Sequence, residues 1–417
     1  MSRPQTSPLR DLPALTLMAL AVLLGSRVPA RAQNAAPPAL TLGDAITRAL
    51  SANPTIAAAR LQRPVDAAGV GVARERPNPD LTYEASKDTP RQAIGGTLPI
   101  ELGGKRQSRI DLANATVATT DAALERLTAE VRNDVRRAYF EVVGADQRVV
   151  ITDDARTLAT RARDAAKARV DAGDAPQADL TQAQLALAGS ENDLTGARGE
   201  AAATRAELNA LLGQAVGTAL VLADNLSSGG LVSLQEALTE AGRANSDIQV
   251  LDRRIFEQAA RVNLAKAMQT PDVVAGSTFT YDAEPDFRFG WRLNLGVTLP
   301  VFTTHRAAVL VEDAELAHLK GEREAVVAGM SGAIAAAIAR ASSARDQMAG
   351  YQQNVQPLEA EVERQAQAAY SGGQIGLAAY LQALQAAREN RQRGLQAGLD
   401  YQHALADLER AMGTPIR

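Results

Sequence analysis

Three histidines, His305, His318 and His403, are the only imidazoles in a sequence of 417 residues that contains no cysteine. A zinc hydrolase needs two histidines one helical turn apart beside a glutamate, and a serine hydrolase needs its nucleophile in a recognisable motif. Neither arrangement occurs, and the three histidines, being scattered, read as surface residues. The lack of cysteine excludes disulfides, thiolate metal sites, thiol nucleophiles and a lipid-bearing N-terminal cysteine. Gly103-Gly104-Lys105-Arg106 is no phosphate loop, because Pro99 stands where the leading glycine belongs and no Ser or Thr follows Lys105. It reads as a strand-to-helix junction, with glycines for the bend and cations facing lipid headgroups or solvent. No residue is therefore assigned to catalysis, to a cofactor or to a metal, and the chain is read as non-enzymatic.

With no chemistry to position, the elements themselves carry the information. Arg3 and Arg10 precede an apolar run from Leu12 to Leu24, and Ala30-Arg31-Ala32 supplies a small-x-small cleavage site. That pattern predicts a secretory signal peptide over 1–32, followed by a flexible leader over 33–40. No later stretch approaches the ~18–20 apolar residues of a spanning helix. Charged residues make up 22% with a net charge of −4, which gives nucleic acid no basic surface to bind. Aromatic residues are only 3%, so long helices packed through small side chains are expected rather than a bulky globular core.

The chain is written twice. Leu42-Gly43-Asp44-Ala45-Ile46 with Asn53 and Ile56 returns as Leu234-Gln235-Glu236-Ala237-Leu238 with Asn245 and Ile248. Pro79-Asp80 returns as Pro271-Asp272, and Thr97-Leu98-Pro99-Ile100 as Thr298-Leu299-Pro300-Val301. Gly173 and the Leu208–Gly213 stretch return as Gly373 and Leu408–Gly413. Two equivalent halves follow, 41–220 and 221–417, suited to the wall of a tube.

Within the first half, helix is expected from Thr41 or Asp44, with a break at Asn53-Pro54 and a kink at Pro64 before an end near Arg76. Apolar residues from Leu124 to Val149 recur at steps of three and four, predicting one helix from Lys105 to about Val170. It would be roughly 100 Å long. After a turn at Asp171–Pro176, Leu180, Leu187, Leu194, Ala201 and Leu208 fall seven apart, each followed three later by a mostly small residue. Tyr380, Ala387, Gly394, Tyr401 and Leu408 repeat the register. This is a close-packed coiled-coil seam.

Between these helices the period drops to two. Phe287, Phe289, Trp291, Leu293, Leu295, Val297 and Leu299 alternate with polar or small residues, and Phe279 and Tyr281 sit on the preceding strand. One β-hairpin per half results, at about 79–100 and about 272–301. Phe279, Tyr281, Phe287, Phe289 and Trp291 form a candidate lipid-facing aromatic belt; a soluble half-buried sheet would show the same alternation. Four strands cannot close a barrel, and open edges are not tolerated in lipid. If the hairpins enter a membrane, several copies must share one barrel.

These landmarks, in their doubled order, resemble the TolC-like outer membrane efflux proteins over essentially the whole mature length. The matching residues are the Leu-x-(Asp/Glu)-Ala helix starts, the Pro-Asp strand entries and Leu-Pro-(Ile/Val) strand exits. The turns Val170-x-x-Gly173 and Tyr370-x-x-Gly373 and the ends at Gly213 and Gly413 match too. Pro99–Arg106 with Arg109 is most similar to the CzcC-like heavy-metal branch.

The resemblance implies a mainly α chain with a β-barrel portion. Three copies would build a twelve-stranded transmembrane barrel in outer membrane lipid and a helical periplasmic tunnel. A periplasmic adaptor and an inner-membrane RND-type pump are the implied partners, and heavy-metal cations the implied cargo. Organic toxins or secreted polypeptides are the alternative cargo. A periplasmic adaptor or a soluble coiled coil are the alternative classes; an adaptor should carry one hairpin with small β-domains. Carried over residue by residue, the aperture candidates are Asp179, Gln182, Tyr370 and Gln382, with a Tyr370–Asp179 tie possible. Ala379 stands where a second carboxylate is expected, so a ring of aspartates is incomplete, and Asp179 reads equally as a solvated turn residue.

Overall fold

The computed structural model describes residues 39–416. The expected signal peptide and most of the leader lie outside those residues. The leader's last residue is anchored: Leu40 is buried, bridges Leu222 and donates its N–H to Val221 at 2.7 Å.

Each half opens with short capped helices. Helix α1 (Leu42–Ala52) starts at Thr41, whose hydroxyl accepts from the Asp44 N–H. Asn53 then caps α2 (Pro54–Arg60), accepting from Thr55 N–H at 2.9 Å while donating to the Leu211 carbonyl at 3.0 Å. The expected kink at Pro64 is instead a break at Leu61, with Pro64 in the first turn of α3 (Gln62–Arg74). Proline lacks a donor and clashes with the carbonyl four residues back, so the interruption falls in the turn before it.

Strands β1 (Asp80–Ala85) and β2 (Gln92–Ile100) lead into α4 (Lys105–Asp171), a single helix of 67 residues. The return helix is α5 (Gln177–Leu211).

The second half repeats the order: α6 (Leu234–Ala244), α7 (Ser246–Ala267), β3 (Asp272–Ala283), β4 (Phe287–Thr298) and α8 (Arg306–Gly350). Its outgoing helix is not continuous. A π-helical turn at Tyr351–Val355 separates α8 from α9 (Gln356–Ser371), and α10 (Leu377–Met412) returns. Pro357 accounts for the irregularity, since a regular helix cannot carry it past the preceding turn. By length and composition, Arg306–Ser371 contains a window apolar enough to cross a membrane, contrary to the sequence expectation. Its apolarity comes largely from alanine, and α8 packs on α6 and α10 through Ile334, Ala337 and Ala341.

The recurring Asn and Gly landmarks have a packing origin. Asn245 copies Asn53, accepting from Ile248 N–H at 3.0 Å and donating to the Ala411 carbonyl at 2.8 Å. At the adjoining helix ends Gly213 and Gly413 take positive φ, 66° and 78°. A Cβ there would stand 2.4 Å from the Ala52 carbonyl oxygen and 2.1 Å from that of Ala244. Only glycine allows both the backbone and the approach.

The seven-residue seam is inside. Ala183, Leu194, Ala197, Ala201, Thr204 and Leu208 are buried, as are Tyr380, Ala387, Tyr401 and Leu408 in the second copy. The halves meet along α4 and α10, where Arg136 Nη1 pairs with Glu409 Oε1 at 2.5 Å and Arg136 Nη2 donates to Gln402 at 3.1 Å. The largest core cluster surrounds Tyr139, Phe140, Val135 and Leu208 beside this contact.

Candidate functional site

The four strands form one antiparallel sheet in the order β1-β2-β3-β4, so the two hairpins join through β2 and β3. Partners in an antiparallel pair share a face. Tyr83 lies opposite Ile94, Ile94 opposite Phe279, and Phe279 opposite Trp291. Following that parity, Leu81, Leu98, Tyr281, Phe287, Phe289, Leu293, Leu295 and Val297 share the face, and all are exposed. Leu295 is 81% open. The opposite face carries Thr82, Glu84, Thr278, Thr280, Arg288, Arg292 and Asn294 with several glycines. An uncovered apolar face of this extent marks an interaction surface, and two open edges are templates for further strand pairing. All five belt candidates lie on the apolar face, and Phe279 stacks on Phe289 with centroids 6.0 Å apart.

Below the sheet, the Gly103-Gly104 junction differs from expectation. Lys105 faces neither lipid nor solvent: it is 6% exposed, with Nζ 2.7 Å from Asp272 Oδ2. Arg109 is paired with Glu101, whose carboxyl this partner holds below the usual carboxylate range. Charge alone predicted exposure; a carboxylate at the entry of β3 reverses it.

At the far end, the α4–α5 and α9–α10 turns repeat one geometry. Gly173 and Gly373 have φ of 82° and 71° and donate to Val170 and Tyr370 at 3.0 and 3.1 Å. Tyr370 is fully buried and stacks on Tyr380 at 5.2 Å, while the Arg169 guanidinium covers its ring at 5.0 Å. Arg169 also donates to the Tyr370 carbonyl at 3.2 Å. Burial pushes the Tyr370 hydroxyl up, Arg169 opposes that shift, and the nearby Asp179 carboxylate adds to it. The tie between Tyr370 and Asp179 is not made: the hydroxyl has no hydrogen-bond partner among the described residues. Asp179 is half-exposed in the first turn of α5.

Gln182 and Gln382 do come together, lining one groove of about 580 Å³ with Glu363, Arg388 and Arg391. Sequence reasoning missed Arg169, whose partner Tyr370 is distant in the chain and leaves no local signal, and read Tyr380 only as a seam residue and not as the partner of Tyr370.

Residues 45–214 match the outer membrane efflux protein family. The cobalt-zinc-cadmium resistance protein CzcC of Cupriavidus metallidurans is 30% identical over 284 residues, covering 66% of each chain. This chain belongs to the outer membrane efflux protein family. The nickel-cobalt-cadmium resistance protein NccC of Alcaligenes xylosoxydans xylosoxydans is 25% identical, covering 51% of this chain and 48% of that protein. The chain thus spans about two thirds and about half of these two relatives. CusC, whose structure concerns folding and transmembrane channel formation, superposes with a TM-score of 0.74 at 16% identity. The match covers 89% of this chain and 92% of CusC, and shows the fold.

As an outer membrane efflux protein, the chain resides in the outer membrane and belongs to a family of efflux proteins rather than enzymes. Among the described residues no group of three His, Asp or Glu could hold a metal. His318 is exposed as expected, whereas His403 is half-buried with Nε2 2.9 Å from Glu141.

Proposed function

We propose that three copies of this chain form a passive exit duct, twelve strands closing a barrel in the outer membrane and the helices continuing as a periplasmic tunnel. The observation that carries this reading is the sheet: one continuous exposed apolar face over four strands whose two edges are open. Backbone edges in lipid must be paired, so the sheet is complete only with further copies. Three times four strands exceeds the roughly eight that enclose filled space and leaves a lumen, lined by the face carrying Arg288 and Arg292.

Energy and cargo selection belong to the partners, an inner-membrane pump and a periplasmic adaptor. The names of the relatives CzcC and NccC support divalent heavy-metal cations as cargo. A conduit needs no tight metal site, since tight binding slows passage. The closed tip is assigned to the hairpin turns, with Asp179, Gln182 and Gln382 facing the aperture and Tyr370 holding its wall.

Cell fractionation with mass determination of the detergent-extracted protein tests the reading. A trimer in the outer membrane fraction is expected; a soluble periplasmic monomer overturns it. Deleting the gene should sensitise cells to cobalt, zinc or cadmium rather than to organic toxins, and the reverse pattern overturns the cargo assignment.

A further inference from the structure

We propose that β4 of one copy pairs with β1 of the next in the register of the internal repeat, and that Arg306 closes this seam on Asp80 of the next copy. The proposal rests on the shared-barrel reading and specifies its interface.

The repeat maps β1 onto β3 and β2 onto β4 residue by residue. Asp80 pairs with Thr97 in the first hairpin, and their counterparts Asp272 and Thr298 pair in the second. The two halves meet inside the chain where Ile100 lies opposite Val273, Pro99 opposite Val274 and Leu98 opposite Ala275. Transposed to the seam between copies, Val301 falls opposite Leu81, Pro300 opposite Thr82 and Leu299 opposite Tyr83. This register keeps Leu299 and Val301 on the same face as Leu81 and Tyr83. A slip of one residue would turn the apolar side chains into the lumen.

The lone protomer is unfinished at this place. Leu98 to Ile100 belong to β2 because β3 flanks them, whereas their counterparts Leu299 to Val301 lie beyond the end of β4. Leu299 and Val301 are 65% and 68% exposed, against 46% and 40% for Leu98 and Ile100. Phe302 next to them is wholly exposed.

The ionic clasp transposes in the same way. Within the chain Asp272 receives the Lys105 ammonium at 2.7 Å and the Leu102 N–H at 3.3 Å. Lys105 is the first residue of α4 and follows Gly104, whose φ is 74°. Arg306 is the first residue of α8 and follows His305, whose φ is 54°. The left-handed residue before the helix, rare outside glycine, is thus kept in both copies. Asp80 occupies the position of Asp272 at the entry of β1. Asp80 and Arg306 are exposed, and neither has an ion-pair partner among the described residues.

The absence of native cysteine makes the test direct. Leu81→Cys with Val301→Cys in one chain is oxidised in outer membranes and run on a non-reducing gel. Direct antiparallel partners sit within disulfide range, whereas partners offset by two residues do not, so roughly fivefold more cross-linked oligomer is expected than for the Leu81→Cys/Leu299→Cys or Leu81→Cys/Thr303→Cys pairs. A dominant link from either offset pair overturns the register. Failure of all three pairs to link, in protein whose mass is trimeric, overturns the β4–β1 seam. A monomer by mass instead overturns the shared barrel on which the proposal rests. Asp80→Arg and Arg306→Asp should each lower the temperature at which the trimer dissociates, and the swapped pair should recover most of that loss; additive losses overturn the clasp.

Discussion

The rings of Tyr370 and Tyr380 lie 5.2 Å apart and within 15° of parallel, and neither hydroxyl finds a hydrogen-bond partner among the described residues. The pair joins the end of α9 to the first turn of α10, immediately beside the turn at Gly373. Its contribution is therefore the ring area, and the unpaired hydroxyls offset part of it. Tyr370→Phe should leave the closed tip and the thermal midpoint unchanged or raise stability by up to ~1 kcal/mol. Tyr370→Ala should cost ~3–5 kcal/mol as a buried aromatic deletion and raise single-channel conductance in planar bilayers. A conductance rise in the phenylalanine variant would show that the hydroxyl bonds a neighbouring copy.

Asp179 stands near Tyr370 without touching its hydroxyl, half-exposed at the start of α5. If it faces the aperture, Asp179→Ala removes a fixed negative charge there and loosens the tip. Higher conductance with weaker cation preference is the expected result in bilayers. Unchanged conductance and selectivity would make it a solvated turn residue.

Legibility in the sequence followed the range of the interaction. Asn53 and Asn245, Gly213 and Gly413, and the period-two strands were readable because backbone geometry restricts residue type at those positions. The face of every strand residue followed from parity alone, which is why the five belt aromatics fell on one side. Lys105 was misread because its surroundings are set by Asp272, a residue of the other half. The Tyr370–Tyr380 stack under Arg169 had the same fate, since an isolated tyrosine does not announce its partner. Pro64 marked an irregularity, which takes the form of a break at Leu61 in the turn before it, whereas the π-helical turn at Tyr351–Val355 ahead of Pro357 was not anticipated.

Leu293 and Asn294 are neighbours on β4 that point to opposite faces of the sheet. Arginine on a lipid face costs ~2–4 kcal/mol near the bilayer midplane and less toward the interfaces, whereas a lumen accepts it. Leu293→Arg should sharply reduce trimer recovered from outer membranes, and Asn294→Arg should leave recovery near wild type while shifting ion selectivity. Equal recovery of both variants would place the apolar face away from lipid.

Glu409 gives the helical wall a pH dependence whose sign can be worked out. Burial raises its carboxyl above the ordinary value, and Arg136, Arg132 and the Ile416 N–H pull against that shift without cancelling it. Between the ordinary value and the raised one, the folded chain binds more protons than the unfolded chain. Stability contributed by this group is therefore complete below the ordinary carboxylate value and lost as pH rises through the elevated one. Glu359 behaves alike, since burial outweighs the Tyr351 hydroxyl, which donates to it at 3.0 Å, and the Arg391 charge. Thermal midpoints of the detergent-solubilised protein should fall across that window, and Glu409→Gln should flatten part of the fall. The slope is the readout rather than the level, because the substitution also leaves Arg136 without its charged partner, at a cost of several kcal/mol for a buried pair. An unchanged slope in Glu409→Gln would mean that the carboxylate stays ionised against Arg136 throughout.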